Sequence, residues 1–109
     1  MKNTKSVMFK KRFDGKKLIV TLDGRLDTAS APELEKQIKD HLDGVSKLVF
    51  DFKTVDHVSS AGLRVLSSTQ KIMKDQGDMV IRNASDEVRD FFEETGFTEI
   101  LTLEDGVRD

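Results

Sequence analysis

The sequence contains no cysteine. This absence excludes a disulfide-linked scaffold, a thiolate metal site and a cysteine nucleophile, and it fits a reducing compartment. No apolar run approaches the ~18 residues of a membrane-spanning helix, and the N-terminal stretch MKNTKSVMFKK lacks the apolar core of a signal peptide. We therefore expect a cytoplasmic protein with no segment inserted in a membrane.

The sequence also lacks a strong excess of positive or negative charge. The formal net charge is −2, although residues 1–17 are mainly basic and residues 86–109 mainly acidic. Such stretches are usually solvated edges, and nothing in the overall balance favours a nucleic-acid partner.

Motifs that carry catalysis are scarce. His41 lies in an amphipathic stretch and is expected at the surface or its boundary. His57 lies three residues before Ser60, but the phrase SSAGL lacks the Gly-x-Ser-x-Gly elbow of serine hydrolases. The glycines fall singly, which excludes a glycine-rich phosphate loop, and no pair of histidines has metal-ligand spacing. We therefore expect a surface that binds a partner, without enzymatic activity, cofactor or metal.

The stretch of residues 51–76 organises the predicted fold. It begins at the end of the run LVFDF at residues 48–52, whose short length and branched or aromatic residues suit a strand buried on both faces. After a polar connector comes a helix that begins at Ser59 and Ser60. One of these serines can cap free backbone N–H groups, while the other faces water where the helix dipole favours an anion such as phosphate. The inward stripe of the helix has helical spacing and consists of Gly62, Val65, Leu66, Thr69, Ile72 and Met73.

A hairpin is predicted at the start of the chain. Residues 7–13 and 17–22 have strand-like composition, and Asp14-Gly15 between them is a strong signal for a tight turn. The basic residues of the first run are typical of an edge strand that is protected against pairing with other chains.

A helix is predicted between this hairpin and the central strand. Ser30 and Glu33 have the spacing of a capping box, Pro32 is tolerated in the first turn, and Gly44 is expected to end the helix. Its inward stripe is Leu34, Ile38 and Leu42.

The C-terminal third continues the alternation of strands and helices. A strand is expected at residues 79–81, a helix from Ser85 to a stop at Gly96, and a last short strand within residues 97–103, followed by a frayed tail at 104–109. The order predicts a single α/β domain over residues 1–109. It has a mixed sheet of about five strands, first an antiparallel hairpin and then parallel strands, with three or more helices packed on it.

Two phrases carry a family resemblance: LDGRLDTASAPEL, and LVFDFKTVDHVSSAGLRVLSSTQK some thirty residues later. In this order they resemble the STAS domain, which is shared by sulfate transporters and bacterial anti-sigma factor antagonists. Without membrane helices the chain is more similar to a stand-alone antagonist. The resemblance implies a protein that binds an anti-sigma factor, itself a serine kinase, and so releases a sigma factor. It further implies that the kinase uses ATP to phosphorylate a serine at the helix start, which ends binding, and that a metal-dependent type of serine phosphatase reverses this step.

The family pattern at the helix start is Asp, the phosphorylated Ser, Ser or Thr, and then Gly-Leu. Gly62 and Leu63 match the last two positions, and Ser60 matches the phosphoacceptor. Ala61 stands where the second hydroxyl would be. Ser59 replaces the Asp, which removes a charge beside the acceptor and makes Ser59 an alternative phosphorylation site.

The resemblance extends to the loop after the second predicted strand. Asp27 matches the partner-facing acid of the family, although aspartate is also common in such loops as a turn residue. Arg64 lies one turn after Ser60 and could pair in part with a phosphate there. The predicted partner-binding surface consists of Asp27, Thr28, Ser59, Ser60, Gly62, Leu63 and Arg64.

Two other functions fit the same fold. One is a non-catalytic STAS-like subunit of a lipid transport complex, in which the helix contacts an ATPase and needs no phosphorylation. The other is a STAS domain that senses a small ligand or nucleotide. The proteins that copurify with the chain distinguish these alternatives from a partner that is an anti-sigma factor.

Overall fold

The computed structural model describes residues 7–104, which form one five-stranded sheet with helices packed on it. Its strands follow one another across the sheet in chain order: β1 (Val7–Asp14), β2 (Lys17–Leu26), β3 (Lys47–Val58), β4 (Asp78–Arg82) and β5 (Leu103–Glu104). Strands β1 and β2 are antiparallel, and the remaining neighbours are parallel. The predicted mixed sheet is therefore confirmed.

Each parallel connection passes through a helix. These are α1 (Ala31–Lys39), α2 (Ser60–Lys74) and α3 (Asp86–Glu94), the last followed by a short 3₁₀ helix, η1 (Phe97–Glu99). Because parallel crossovers are right-handed and the strands are in sequential order, the three helices lie on one face of the sheet. Among residues 7–104, no helix is both long and apolar enough to cross a bilayer.

The main core lies between the helices and the sheet. Phe50 and Phe52 of β3 and Phe92 of α3 are fully buried there and form a chain of tilted and edge-on ring contacts. On the opposite face of the sheet, Val49 is 1% exposed and packs with Ile19 and Val80 in a small second cluster. Strand β3 is thus buried on both faces, as its continuous apolar run predicts.

The hairpin forms where it is predicted, but its turn is one residue further along. Asp14 pairs with Lys17 as the last residue pair of the ladder, so the two turn residues are Gly15 and Lys16. Only Gly15 has a left-handed φ, of 65°. Strand β1 is at the edge of the sheet, as its basic residues predict.

Helix α1 is shorter than predicted. It ends at Lys39, and Gly44, with a φ of 80°, lies in the turn that leads to β3. Leu34 and Ile38 face the core from the helix, whereas Leu42 is buried from the loop that follows. A buried side chain at helical spacing does not by itself show that the helix continues to it.

The polar connector predicted after residue 52 is in fact strand. Strand β3 continues to Val58, with irregular register opposite residues 21–25 of β2. Val55 and Val58 are buried, and Thr54 donates a hydrogen bond from its side chain to the Leu22 carbonyl at 3.0 Å. The bulges let the strand keep pairing through a polar sequence.

Two further expectations are modified in the C-terminal part. Within α2, Ile72 of the predicted inward stripe is 36% exposed, while Leu63, which lies outside that stripe, is buried. The last predicted strand is mostly η1 and loop, and β5 contains two residues. Glu104 belongs to β5, and the rest of the predicted tail, residues 105–109, lies outside the described residues.

Candidate partner-binding site

The start of α2 presents two adjacent serines with different environments. Ser59 is the N-cap residue, with extended backbone, and its carbonyl accepts the first helical hydrogen bond from Leu63 at 3.0 Å. Ser60 is the first residue of the helix and is exposed. The backbone N–H groups of this first turn and the helix dipole make the position of Ser60 favourable for an anion.

The hydroxyl of Ser59 does not face solvent. Its Oγ is buried and has no hydrogen-bond partner within residues 7–104, and it makes no cap hydrogen bond to the helix. The sequence predicts that one serine of the pair caps the helix through its side chain, and this is wrong. The helix start is held through the backbone instead.

That backbone contact ties α2 to the end of β2. The Ser59 N–H donates to the Leu26 carbonyl at 2.9 Å. One turn later Gly62 packs directly on the same residue: a Cβ at position 62 would lie 2.8 Å from Leu26 Cγ and 2.9 Å from Leu26 O. Since such distances are closer than real contacts, glycine is required here for close approach, although its φ is not positive. The contact fixes Ser60 beside the loop that leaves β2.

The loop after β2 is organised by Asp27. Its Oδ1 accepts hydrogen bonds from the backbone N–H groups of Ala29 at 3.0 Å and Ser30 at 3.2 Å, an Asx-type turn. Its Oδ2 lies 3.9 Å from Arg25 Nε, and the Asp27 side chain is 22% exposed. Asp27 therefore has the role of a turn residue, which is common for aspartate in such loops. Whether it also contacts a partner stays a prediction.

Ser30 has a different role from the predicted one. It occupies the N-cap of α1, but its Oγ donates to the Arg25 carbonyl at 2.8 Å and accepts from the Asp27 N–H at 3.0 Å. The capping box with Glu33 is therefore wrong, and Glu33 accepts a hydrogen bond from Gln37 instead. The Ser30 hydroxyl thus closes the loop between Arg25 and Ser30 and does not cap α1.

A groove between α1 and α2 brings the two predicted segments together. It has a volume of about 350 Å³. Thr28 lines it from the loop, and Ser60 and Arg64 line it from α2, with Glu35 of α1 at the same groove. Thr28, Ser60 and Arg64 are exposed, while Gly62 and Leu63 are buried beneath them. Gly62 and Leu63 of the predicted surface therefore lie under the exposed residues and are not themselves open to a binding partner.

Two residues of this site, Leu26 and Glu35, are not among the site residues predicted from the sequence. Leu26 anchors α2, and Glu35 adds the only carboxylate that lines the groove within the described residues. Leu26 could have been suspected from the apolar position between Arg25 and Asp27. Glu35 could not, because charged residues on an exposed helix face are common.

Neither histidine lines the groove between α1 and α2. His57 lines a different groove, beside α3, and His41 Nδ1 is 2.7 Å from the Gln37 carbonyl, half-buried against the Phe13 ring. Within residues 7–104, no group of three or more His, Cys, Asp and Glu side chains is arranged to hold a metal ion. The described site is thus a groove beside the start of α2, at which Ser60 is exposed.

Comparison with known proteins agrees with the family suggested by the two phrases. The family model of the STAS domain matches residues 8–109. A relative from Bordetella bronchiseptica, BtrV, whose name gives its proposed role as an anti-sigma factor antagonist, is 36% identical over 88 residues, which cover 79% of this chain and 76% of BtrV.

Solved structures share the fold at lower identity. The anti-sigma factor antagonist SpoIIAA in its unphosphorylated form superposes with a TM-score of 0.81 at 17% identity, covering 93% of this chain and 90% of SpoIIAA. The phosphorylated form of the Bacillus cell fate determinant SpoIIAA gives a TM-score of 0.73 at 16% identity, covering 93% of both chains. At these identities the likeness concerns the fold.

Proposed function

Because the chain belongs to the STAS domain family, we propose that it is a non-catalytic anti-sigma factor antagonist whose binding is switched by phosphorylation of Ser60. The relative with 36% identity supports this role by its name. The observation that carries the proposal is the exposed hydroxyl of Ser60 at the start of α2, beside the groove that Thr28 and Arg64 line.

Ser60 is favoured as the acceptor over its neighbour Ser59. A protein kinase must bring its catalytic base and the γ-phosphate to the acceptor oxygen. The Ser60 side chain is exposed, whereas the Ser59 Oγ is buried beneath the helix start. Phosphorylation of Ser59 would require the first turn of α2 to open, and that turn is held by the backbone bond to Leu26.

A phosphate on Ser60 would leave the domain folded. It adds a charge of about −1.5 to −2 at pH 7, at the helix terminus where the dipole stabilises an anion. Arg64 lies one helical turn away, at the spacing that favours an ion pair. The modification therefore acts on docking and not on the fold.

Docking is expected to end because the phosphate lies in the middle of the contact surface. A like-charge or desolvated contact across an interface costs several kcal/mol, and each ~1.4 kcal/mol lowers affinity tenfold. The partner is an anti-sigma factor that acts as the serine kinase, with a metal-dependent serine phosphatase as the opposing enzyme. SpoIIAA, which shares the fold, has structures in both phosphorylated and unphosphorylated forms.

Copurification followed by direct binding tests this function. The tagged wild-type chain should retain an anti-sigma factor from cell extract, identified by mass spectrometry, and the purified pair should associate. Ser60→Asp should reduce that affinity at least tenfold, while Ser46→Asp, on an exposed serine before β3, serves as the control for added charge. Recovery of an ATPase with a permease, or unchanged affinity of Ser60→Asp, would contradict the proposal.

A further inference from the structure

A second groove begins at Ser60 and follows the exposed side of α2 to Lys71. It lies between α2 and the residues around η1, has a volume of about 420 Å³, and is called here the α2–η1 groove. Its floor is the buried Leu63 and the half-buried Phe97. Its remaining lining consists of hydroxyl and cationic side chains: Ser60, Arg64, Ser67, Ser68, Lys71 and Thr95.

The charge of this groove contrasts with that of its neighbour. Within the described residues, the α2–η1 groove is lined by two cations and no carboxylate. The groove of about 430 Å³ beside α3 is lined by Asp56, Glu87, Asp90 and Glu94, with His57 and no lysine or arginine. In a chain with a net charge of −2, this separation gives α2 a local cationic face.

We propose that the α2–η1 groove binds an acidic segment of the partner protein, so that the docking surface extends along α2 to Lys71. This inference rests on the proposed function and names the chemistry of the partner segment. Arg64 and Lys71 are seven residues apart, or about 10 Å along the helix axis. A segment in the polyproline II conformation has three residues per turn and a rise of ~3.1 Å per residue, so side chains three residues apart lie on one face about 9 Å apart. Two carboxylates at that spacing would meet both cations.

The hydroxyls of the groove differ in whether their protons are free to bind an acidic ligand. Ser68 donates to the Val65 carbonyl, and Thr95 donates to carbonyls of its own helix, so their protons are already used. Within residues 7–104 no such bond is recorded for the Ser60 or Ser67 hydroxyls, which can turn toward a carboxylate. The donors available to an anion thus lie along one line, Ser60, Arg64, Ser67 and Lys71.

The arrangement also explains how a phosphate would release the partner. Phosphate on Ser60 would compete with the partner's carboxylate for Arg64 and repel the segment that approaches it. Lys71 is eleven residues from Ser60, about 16 Å along the helix. That distance exceeds the ~10 Å Debye length at 0.1 M salt, so Lys71 reports on the groove separately from the phosphorylation site.

Charge reversal at two lysines of the same helical turn tests the groove. Lys71 and Lys74 are both exposed in the last turn of α2, and both charges face the negative end of the helix dipole, but only Lys71 lines the groove. Lys71→Glu and Lys74→Glu should therefore lose similar stability. Lys71→Glu should weaken binding to the copurified anti-sigma factor about tenfold or more and flatten its salt dependence, while Lys74→Glu stays within about twofold.

The outcomes separate this proposal from the function on which it rests. If Lys71→Glu and Lys74→Glu bind the anti-sigma factor equally well while Ser60→Asp does not bind it, the proposed role of the groove is wrong and the phosphorylation switch still stands. If the wild-type chain binds no anti-sigma factor, both proposals are wrong. If Lys71→Glu instead affects only flotation with phosphatidylserine vesicles, the groove recognises lipid, and the acidic protein segment is excluded.

Discussion

The substitutions Ser59→Ala and Ser85→Ala test how much each serine side chain contributes to stability at the start of its helix. Both are N-cap residues with extended backbone, at φ −100° and ψ 178° for Ser59 and φ −69° and ψ 166° for Ser85. Ser85 Oγ accepts a hydrogen bond from the Val88 N–H at 3.2 Å. Ser59 Oγ is buried with no partner among the described residues. The two substitutions should therefore have different effects on stability.

The expected magnitudes follow from these contacts. Ser85→Ala removes a working cap and should cost about 1 kcal/mol, within a range of roughly 0.5 to 2. Ser59→Ala removes no hydrogen bond, and a buried unpaired polar group costs about 1–3 kcal/mol. Ser59→Ala should therefore be neutral or stabilising. For a domain of this size each 1 kcal/mol shifts the Tm by about 4–8 °C, so the two variants should differ clearly.

Equilibrium urea denaturation followed by circular dichroism provides the measurement. Similar m-values for wild type and both variants would show that the same surface unfolds in each, which allows the midpoints to be compared. A loss in Ser59→Ala as large as that in Ser85→Ala would refute the reasoning. The Ser59 oxygen would then face the free amides of α2, close to solvent, and it would compete with Ser60 as the phosphoacceptor.

Two further predictions concern the contact between α2 and the loop after β2. Gly62→Ala places a Cβ 2.9 Å from the Leu26 carbonyl oxygen, which is a backbone atom and cannot turn aside, so we expect an overpacking cost of about 2–3 kcal/mol. About 1 kcal/mol returns through helix propensity, which leaves a net loss of about 1–2 kcal/mol in urea denaturation. Unchanged stability would show that α2 can move away freely. Asp27→Asn keeps an oxygen that can accept from the two loop N–H groups, so stability should change by less than about 1 kcal/mol. The affinity of Asp27→Asn for the anti-sigma factor should fall about tenfold because the charge is lost. If the affinity equals that of the wild type, Asp27 acts only as a turn residue and does not contact the partner.

The sheet and its helices could be predicted because their patterns are local. The continuous apolar run of β3, most of the inward stripe of α2 and the helix start at Ser85 each follow from spacing within a few residues. The ends of the strands and helices could be predicted less well from the sequence. Strand β3 extends through residues 53–56 because β2 pairs with it through bulges, and the residues of β3 do not themselves indicate this pairing.

The candidate site shows the same division. Exposure of Ser60 follows from its place opposite the apolar stripe of α2. Burial of the Ser59 hydroxyl does not follow from local spacing. The helix start is placed by the backbone bond from Ser59 to Leu26, which lies more than thirty residues earlier in the chain. Ser30 likewise matches a capping box by spacing, yet its hydroxyl bonds to the Arg25 carbonyl, which only the folded loop brings within reach.

Intact-mass analysis after incubation with the copurified anti-sigma kinase and ATP tests the central claim most directly. The wild-type chain and Ser59→Ala should each gain one phosphate, about 80 Da, and lose affinity for the kinase, whereas Ser60→Ala should gain none and stay bound. A phosphate on Ser60→Ala, or a phosphorylated wild-type chain that binds as tightly as before, would contradict a switch at the exposed serine of α2.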